Sequence, residues 1–262
     1  MTMKRKTILS LSSIGLLLAL PITAAAGDWY VGGSLGYNMQ SDSSNSGDTG
    51  AFNTGNGSPA LPFGTLIPSG TNYGWDTEFD GGMALSAETG LMYDSGFRSS
   101  IELTYSNADV DSHSGVTVGG TNIDGLDAAV LTGSPNKLGA SVGQVVADGR
   151  GDISSYGVFV NLYYDFNKNG MIQPYLGAGI GLMSVDVEYS PSNVGIIDDS
   201  DNVLAYQLKA GATYNVSSNV GIYGEYAYRA SEDVEVSNDL FPGSLEVENE
   251  QHIFSVGVRY KF

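Results

Sequence analysis

The sequence predicts an all-β chain: an eight-stranded antiparallel transmembrane β-barrel with short turns at one end and four long loops at the other. Three observations predict it. Apolar and small or polar residues alternate with a period of two in eight separate segments. The connections between those segments are alternately long and short. A leader that directs the chain out of the cytoplasm precedes them.

The leader has three parts. Lys4, Arg5 and Lys6 give a positive start, Ile8 to Leu20 form an uncharged apolar run, and Ala24, Ala25 and Ala26 supply small residues. The run is shorter than the ~20 residues a helix needs to span a bilayer. It therefore reads as a signal peptide over residues 1–26, cleaved near Ala26, with residues 27–262 as one barrel domain. Export followed by membrane-crossing strands implies the outer membrane of a Gram-negative envelope. The absence of cysteine excludes disulfides and a lipid-anchor cysteine.

The first strand sets Trp29, Val31, Leu35, Tyr37 and Met39 against Gly32, Ser34, Gly36 and Asn38. The second sets Phe79, Met83, Leu85, Ala87, Leu91 and Tyr93 against Glu78, Asp80, Ser86 and Glu88. After the turn Asp94-Ser95-Gly96, the third sets Phe97, Ile101, Leu103 and Tyr105 against Arg98, Ser100, Glu102 and Thr104. The fourth has Tyr156, Val158, Val160, Leu162, Tyr164 and Phe166 opposite Ser155, Gly157, Asn161 and Asp165. A hairpin at Asn167 to Gly170 leads to the fifth, with Ile172, Leu176, Ala178, Ile180 and Leu182 opposite Gln173, Tyr175 and glycines.

The sixth has Tyr206, Leu208, Ala210, Ala212 and Tyr214 opposite Gln207, Lys209, Gly211 and Thr213. The seventh has Val220, Ile222, Tyr226 and Tyr228 opposite Gly221, Glu225 and Arg229. The eighth closes the sequence with Phe254, Val256, Val258, Tyr260 and Phe262 opposite Ser255, Gly257, Arg259 and Lys261. The expected loops are Ser41 to Gly74, Asn107 to Asp152, Asp186 to Asn202 and Ala230 to Glu250.

The faces distinguish this pattern from a soluble barrel. Aromatic residues near strand ends, Trp29, Tyr93, Phe97, Tyr164, Phe166, Tyr214, Tyr260 and Phe262, suit an interfacial girdle. The opposite parity of Gly, Ser, Asn and charged residues suits the narrow interior of eight strands. That parity carries Glu88, Glu102, Asp165 and Glu225 with Arg98, Lys209, Arg229, Arg259 and Lys261. Charges out of water need partners, and a mid-height network centred on Glu102, Lys209 and Glu225 is expected. Structural filling is the plain reading; a gate that swaps pairs to pass water or ions is the alternative.

Composition narrows the partners. Three of the 11 basic residues lie in the leader, so eight face 29 acidic ones. Such acidity argues against nucleic acid. The four expected loops hold 20 of the acids and only Lys137 and Arg150 as bases, which reads as a self-repelling exterior. No cofactor is expected.

Certain segments resemble a known family. They are Arg98-Ser-Ser-Ile-Glu102-Leu-Thr-Tyr105, Asn161-Leu-Tyr-Tyr-Asp-Phe166, Ile172-Gln-Pro-Tyr-Leu-Gly-Ala-Gly-Ile-Gly181, Tyr206-Gln-Leu-Lys-Ala-Gly211 and Val256-Gly-Val-Arg-Tyr-Lys-Phe262. They resemble the outer-membrane β-barrel family, which includes the barrel of outer membrane protein A and the opacity-type and rickettsial-type surface antigens. The resemblance covers the strands between Gly27 and Phe262 and specifies architecture better than function. It implies outer-membrane lipid and lipopolysaccharide as surroundings, with periplasmic chaperones and the barrel assembly machinery as partners during biogenesis. Val258, Tyr260 and Phe262 look like the signal that machinery reads. Because the sequence ends on the eighth strand, the peptidoglycan-binding domain of outer membrane protein A is expected to be absent.

Catalysis has little to build on. Only His113 and His252 exist; the first is expected in a solvated loop and the second at an interface. Asp76 and Asp80 could activate water, but strand-end carboxylates are common. Asp109, Asp111, Asp198, Asp199 and Asp201 are hard oxygen ligands suited to calcium, yet Asp109 to Gly115 matches a calcium loop only loosely. The leading expectation is a non-enzymatic surface protein whose loops serve envelope structure, adhesion or antigen display, with a host or surface ligand as their candidate partner. A small channel or carrier is the alternative, and an enzyme is a third.

Overall fold

The structure is a computed structural model that describes residues 27–167 and 169–262. The expected signal peptide lies outside the described residues, as does Lys168 in its hairpin turn. Eight long strands carry the architecture: β1 (Gly27–Gln40), β6 (Gly82–Tyr93), β7 (Phe97–Val118), β9 (Gly151–Asp165), β10 (Ile172–Tyr189), β11 (Ile197–Asn215), β12 (Val220–Ser231) and β15 (Glu250–Lys261). Shorter strands lie between them: β2 (Ser43–Thr49), β3 (Phe52–Asn53), β4 (Leu66–Ile67), β5 (Asn72–Phe79), β8 (Thr121–Asn122), β13 (Val234–Ser237) and β14 (Gly243–Val247).

Every long strand is antiparallel to two others. β1 pairs with β6 and β15, and β15 with β12. The ladder continues through β11, β10 and β9 to β7, which also pairs with β6. The sheet is larger than the eight strands the sequence predicts. β5 and β8 join the far half of β7, β2 joins β5, and β14 and β13 follow, giving 13 strands in one sheet.

The expected loops are therefore corrected in large part to strands. Along β10 the inward parity begins with Tyr175 and glycines, then becomes Met183, Val185, Val187 and Tyr189, all buried. The outward parity reverses in step, from exposed Leu176, Ile180 and Leu182 to Ser184, Asp186 and Glu188. A single strand thus passes from an arrangement that suits lipid outside to one that suits water outside. β7 does the same, its inward Arg98 and Glu102 giving way to Ala108 and Val110. Beyond this change lies a head with its own apolar core, including Tyr73, Trp75, Val187, Tyr189, Phe241, Leu245 and Val247.

Two short helices cap that core. α1 (Ala129–Thr132) buries Ala129 and Val130, and α2 (Val142–Val146) buries Val142 and Val146. Ser141 caps α2 in a box with Gln144. The Asp127 carboxylate accepts from the amides of Leu138, Ala129 and Gly139, which tie down the α1 turn and hold this carboxyl below its ordinary range. β13 runs beside β11 without a backbone ladder among the described residues. Asp199 accepts there from the amide of Ser237 (3.0 Å) and Asp201 from that of Glu235 (3.3 Å). Two of the carboxylates expected as cation ligands thus bind amides.

The second expected strand is also corrected. Phe79 ends β5 in the head, and β6 begins only at Gly82. A Cβ on Gly82 would lie 2.0 Å from the Asn107 carbonyl oxygen, so the strands approach too closely for any larger residue.

Candidate functional site

The inward side chains stack in polar layers below the head. Nearest the short turns, Arg98 is fully buried, with its Nε 3.2 Å from Asp165 Oδ2 and its Nη1 3.5 Å from Glu88 Oε1. Arg259 Nη2 lies 3.0 Å from the same Glu88 oxygen, and its Nη1 donates to Thr213. Glu88 also accepts from the hydroxyls of Tyr30 and Tyr163. The guanidinium carbon of Arg98 sits 3.8 Å from the Tyr163 ring centroid, and that of Arg259 sits 4.6 Å from Tyr223. Cations surrounded by rings and carboxylates keep their charge without water.

The middle layer joins Lys209 to two acids. Its Nζ is 2.7 Å from Glu102 Oε1 and 3.0 Å from Glu225 Oε1. Asn161 and Gln207 donate to the other Glu102 oxygen at 2.9 and 2.8 Å, while Tyr175 donates to Glu225 at 2.9 Å. A cavity of about 20 Å³ beside these residues is the size of one water. Glu88 and Glu102 are direct partners across β6 and β7, yet they turn to different cations, which relieves the repulsion of facing like charges.

The upper layer lacks a carboxylate. Arg229 donates to the carbonyl oxygens of Gln207 and Gln251 and lies 5.0 Å over the Phe159 ring. It forms no ion pair among the described residues, a departure from the expectation that every inward charge has an opposite. Buried Phe159 and Met183 follow, and the head core begins. Lys261 is not part of this interior: it meets Asp28 at the rim at 3.2 Å, and both are partly exposed. At the turn end a vestibule of about 580 Å³, lined by Asp28, Asp165, Thr213, Arg259 and Lys261 among others, narrows onto the Arg259 layer.

Sequence reasoning named these charges and missed the rings between them. Tyr30, Tyr163 and Tyr223 are inward and buried. The signal is a glycine opposite each of several tyrosines: a Cβ on Gly177 would lie 2.3 Å from the Tyr163 ring, and one on Gly211 2.5 Å from Tyr175. Glycine on one strand makes the space that tyrosine on the next one fills.

On the outer face Trp29, Phe97, Tyr164, Phe166, Tyr214, Tyr260 and Phe262 are exposed near the turns, and Tyr93 is half-buried. Val258 is also exposed on this face. A second aromatic band, not recognised in the sequence, lies at the head end: Tyr105 packs on Tyr156 with ring centroids 4.9 Å apart, and Tyr206 on Tyr228 at 6.2 Å. His252 belongs to this band, its Nδ1 2.8 Å from the Tyr226 hydroxyl. Phe97 and Tyr105, eight residues apart on β7, mark the two bands; at ~3.3 Å per residue they are ~26 Å apart along the strand, about 20 Å of height at a tilt of ~40°, of the order of the ~25 Å expected of such walls.

His113 is corrected from solvated loop to buried strand. Its Nδ1 is 2.8 Å from Thr77 Oγ1, and its ring lies edge-on to Tyr189 at 4.7 Å. Burial in the head lowers its imidazole from 6.5 to about 4. Asp109 and Asp111 are exposed on the same strand, and among the described residues no three His, Asp or Glu side chains converge as a metal would require.

A wall of long antiparallel strands, greasy outside and polar within, with aromatic bands at both edges, defines an outer-membrane strand protein. The chain belongs to the outer membrane protein β-barrel family, whose domain it matches over residues 11–262. It is a protein of the Gram-negative outer membrane. It is 29% identical over 114 residues to the outer membrane protein PagN of Salmonella typhimurium, a match covering 39% of this chain. The matched part spans 48% of PagN, about half its length. Among solved structures, the outer membrane protein OprG from Pseudomonas aeruginosa superposes with a TM-score of 0.55 at 15% identity, over 91% of this chain and 97% of that one. Neisserial surface protein A matches with a TM-score of 0.44 at 16% identity, over 89% of this chain and 97% of that one.

Proposed function

We propose that the eight long strands form a closed transmembrane barrel, exposed after removal of residues 1–26, and that its work is to hold the head outside the cell as a non-enzymatic surface-interaction module. The filled interior carries this reading. Glu88, Arg98, Glu102, Lys209, Glu225, Arg229 and Arg259 occupy the axis with hydrogen-bonded partners, and an apolar core roofed by two helices lies above them. An ion would have to cross both. The outer face meets lipid and lipopolysaccharide, and the closing Val258, Tyr260 and Phe262 serve barrel assembly with its chaperones.

Planar-bilayer recording tests the sealed interior. The purified protein is expected to show no steady conductance, and neither is the Glu102→Gln, Lys209→Met, Glu225→Gln triple variant, because the roof remains. Steady current through the unaltered protein would move the assignment to the channel reading. Attachment of cells with and without the gene to surfaces and partner cells tests the display role; equal attachment would count against it.

A further inference from the structure

The crown of the head differs chemically from its walls. From Thr49 to Trp75 the chain carries no charged residue, although Asp48 and Asp76 bracket the stretch. Within it β3 and β4 form a hairpin, with Phe52 opposite Ile67 and Asn53 opposite Leu66. Its base is anchored: Phe52 stacks on Phe241 at 4.8 Å, and the Gly55 amide donates to the Val130 carbonyl of α1.

The tip is stiffened from within. Ser58 Oγ accepts from the amides of Ala60 and Leu61, and the hydroxyls of Thr54 and Thr65 both donate to the Pro62 carbonyl. What it presents is apolar. Phe63 is 57% exposed and Leu66 62%, and Leu138, beyond α1, is 55% exposed. These side chains belong to the head, past the second aromatic band, so lipid of the protein's own membrane does not cover them. Large apolar side chains exposed to water on one hairpin suit an interaction site, and a tip already held in one shape loses little entropy on docking.

We propose that this hairpin docks the head onto the zwitterionic phospholipid surface of another cell, with Phe63 and Leu66 seated among the headgroups. The inference rests on the display role above and names its partner. Charge selects the occupant. The head's walls carry acids with Lys137 and Arg150 as the bases of the expected loops, so an anionic bilayer is repelled. A protein partner matched to this head would meet those acids with bases of its own, but the hairpin that presents the apolar side chains has no charge to match. An uncharged, apolar, ordered tip suits a surface without net charge.

The test uses the whole protein held in nanodiscs and floated with phosphatidylcholine vesicles. The unaltered protein is expected to float with the vesicles. The Phe63→Asp, Leu66→Asp double variant is expected to bind at least about tenfold less, because two apolar anchors become charges. Adding phosphatidylserine to the vesicles should weaken binding at low salt, and added salt should restore it. Circular dichroism and Trp75 fluorescence check that the double variant keeps its head. Equal binding by both forms, or none by either, overturns the proposal. If the double variant loses attachment to cells while vesicles are never bound, and protease treatment of those cells abolishes attachment, the partner is a protein: the lipid inference falls and the display role stands.

Discussion

Lys209 shows how single side chains hold the interior. One ammonium neutralises two carboxylates that reach it from β7 and β12. Lys209→Ala would leave Glu102 and Glu225 buried without a cation, a loss of about 3–5 kcal/mol. Urea titration of the folded fraction in lipid should show this, and the neutral triple variant at Glu102, Lys209 and Glu225 should return to near the original midpoint. His113 makes a second prediction. Its imidazole is held down at about 4 by burial against an ordinary 6.5, so the unfolded chain takes up more protons between these values. The contribution of His113 to head stability is fully present above pH 6.5, declines as pH falls toward 4 and is flat below that. The Asp148 carboxylate opposes this shift weakly. Trp75 lies edge-on to the imidazole at 6.2 Å, so its fluorescence in a denaturant series at each pH reads the effect, and His113→Leu should flatten it.

At the scale of the element, β10 contains the lesson. Ile180 and Glu188 lie on the same outward face, eight residues apart, but in the proposed placement one faces lipid and the other water. Ile180→Arg should cost about 2–4 kcal/mol or block insertion, whereas Glu188→Arg should stay within about 0.5 kcal/mol. Val187→Asp, on the buried face between them, should unfold the head; heat-modified electrophoresis and protease protection separate these outcomes. The sequence reading found the lipid-facing half of this strand because Leu and Ile alternating with glycine is a plain pattern. It stopped at Asp186 because the acids that follow look like a loop. The alternation Val185-Asp186-Val187-Glu188-Tyr189 was nonetheless present, with polar and apolar faces exchanged. Leu245-Glu246-Val247 repeats that pattern in β14. The candidate interior was more legible. Glu102, Lys209 and Glu225 meet because alternation fixes their face and distance from a turn fixes their height. Arg229, held by two glutamines, shows where charge counting fails: neutral carbonyls can satisfy a guanidinium, and no charge rule finds them.

For the whole molecule, the distribution of charge sets behaviour. The interior pairs its acids with bases one for one or nearly so, while the head walls carry many acids and, as bases of the expected loops, only Lys137 and Arg150. Mutual repulsion across the walls is screened within ~10 Å at 0.1 M salt. The melting temperature of the head should therefore rise from low to moderate ionic strength, while the long-strand wall, with its charges buried and hydrogen-bonded, should hardly respond. Scanning calorimetry at several salt concentrations separates the two, and a long-strand transition that moved with the head would contradict this division of charge.

The unbroken course of β7, β10 and β11 from the turn end into the head has a mechanical consequence. A load applied at the crown runs along these backbones into the bilayer with no flexible stalk between. It pulls the antiparallel ladders lengthwise, so that many hydrogen bonds resist together instead of parting one after another. A cell tethered through this head in flowing liquid would be held by a stiff rod clamped in its own wall.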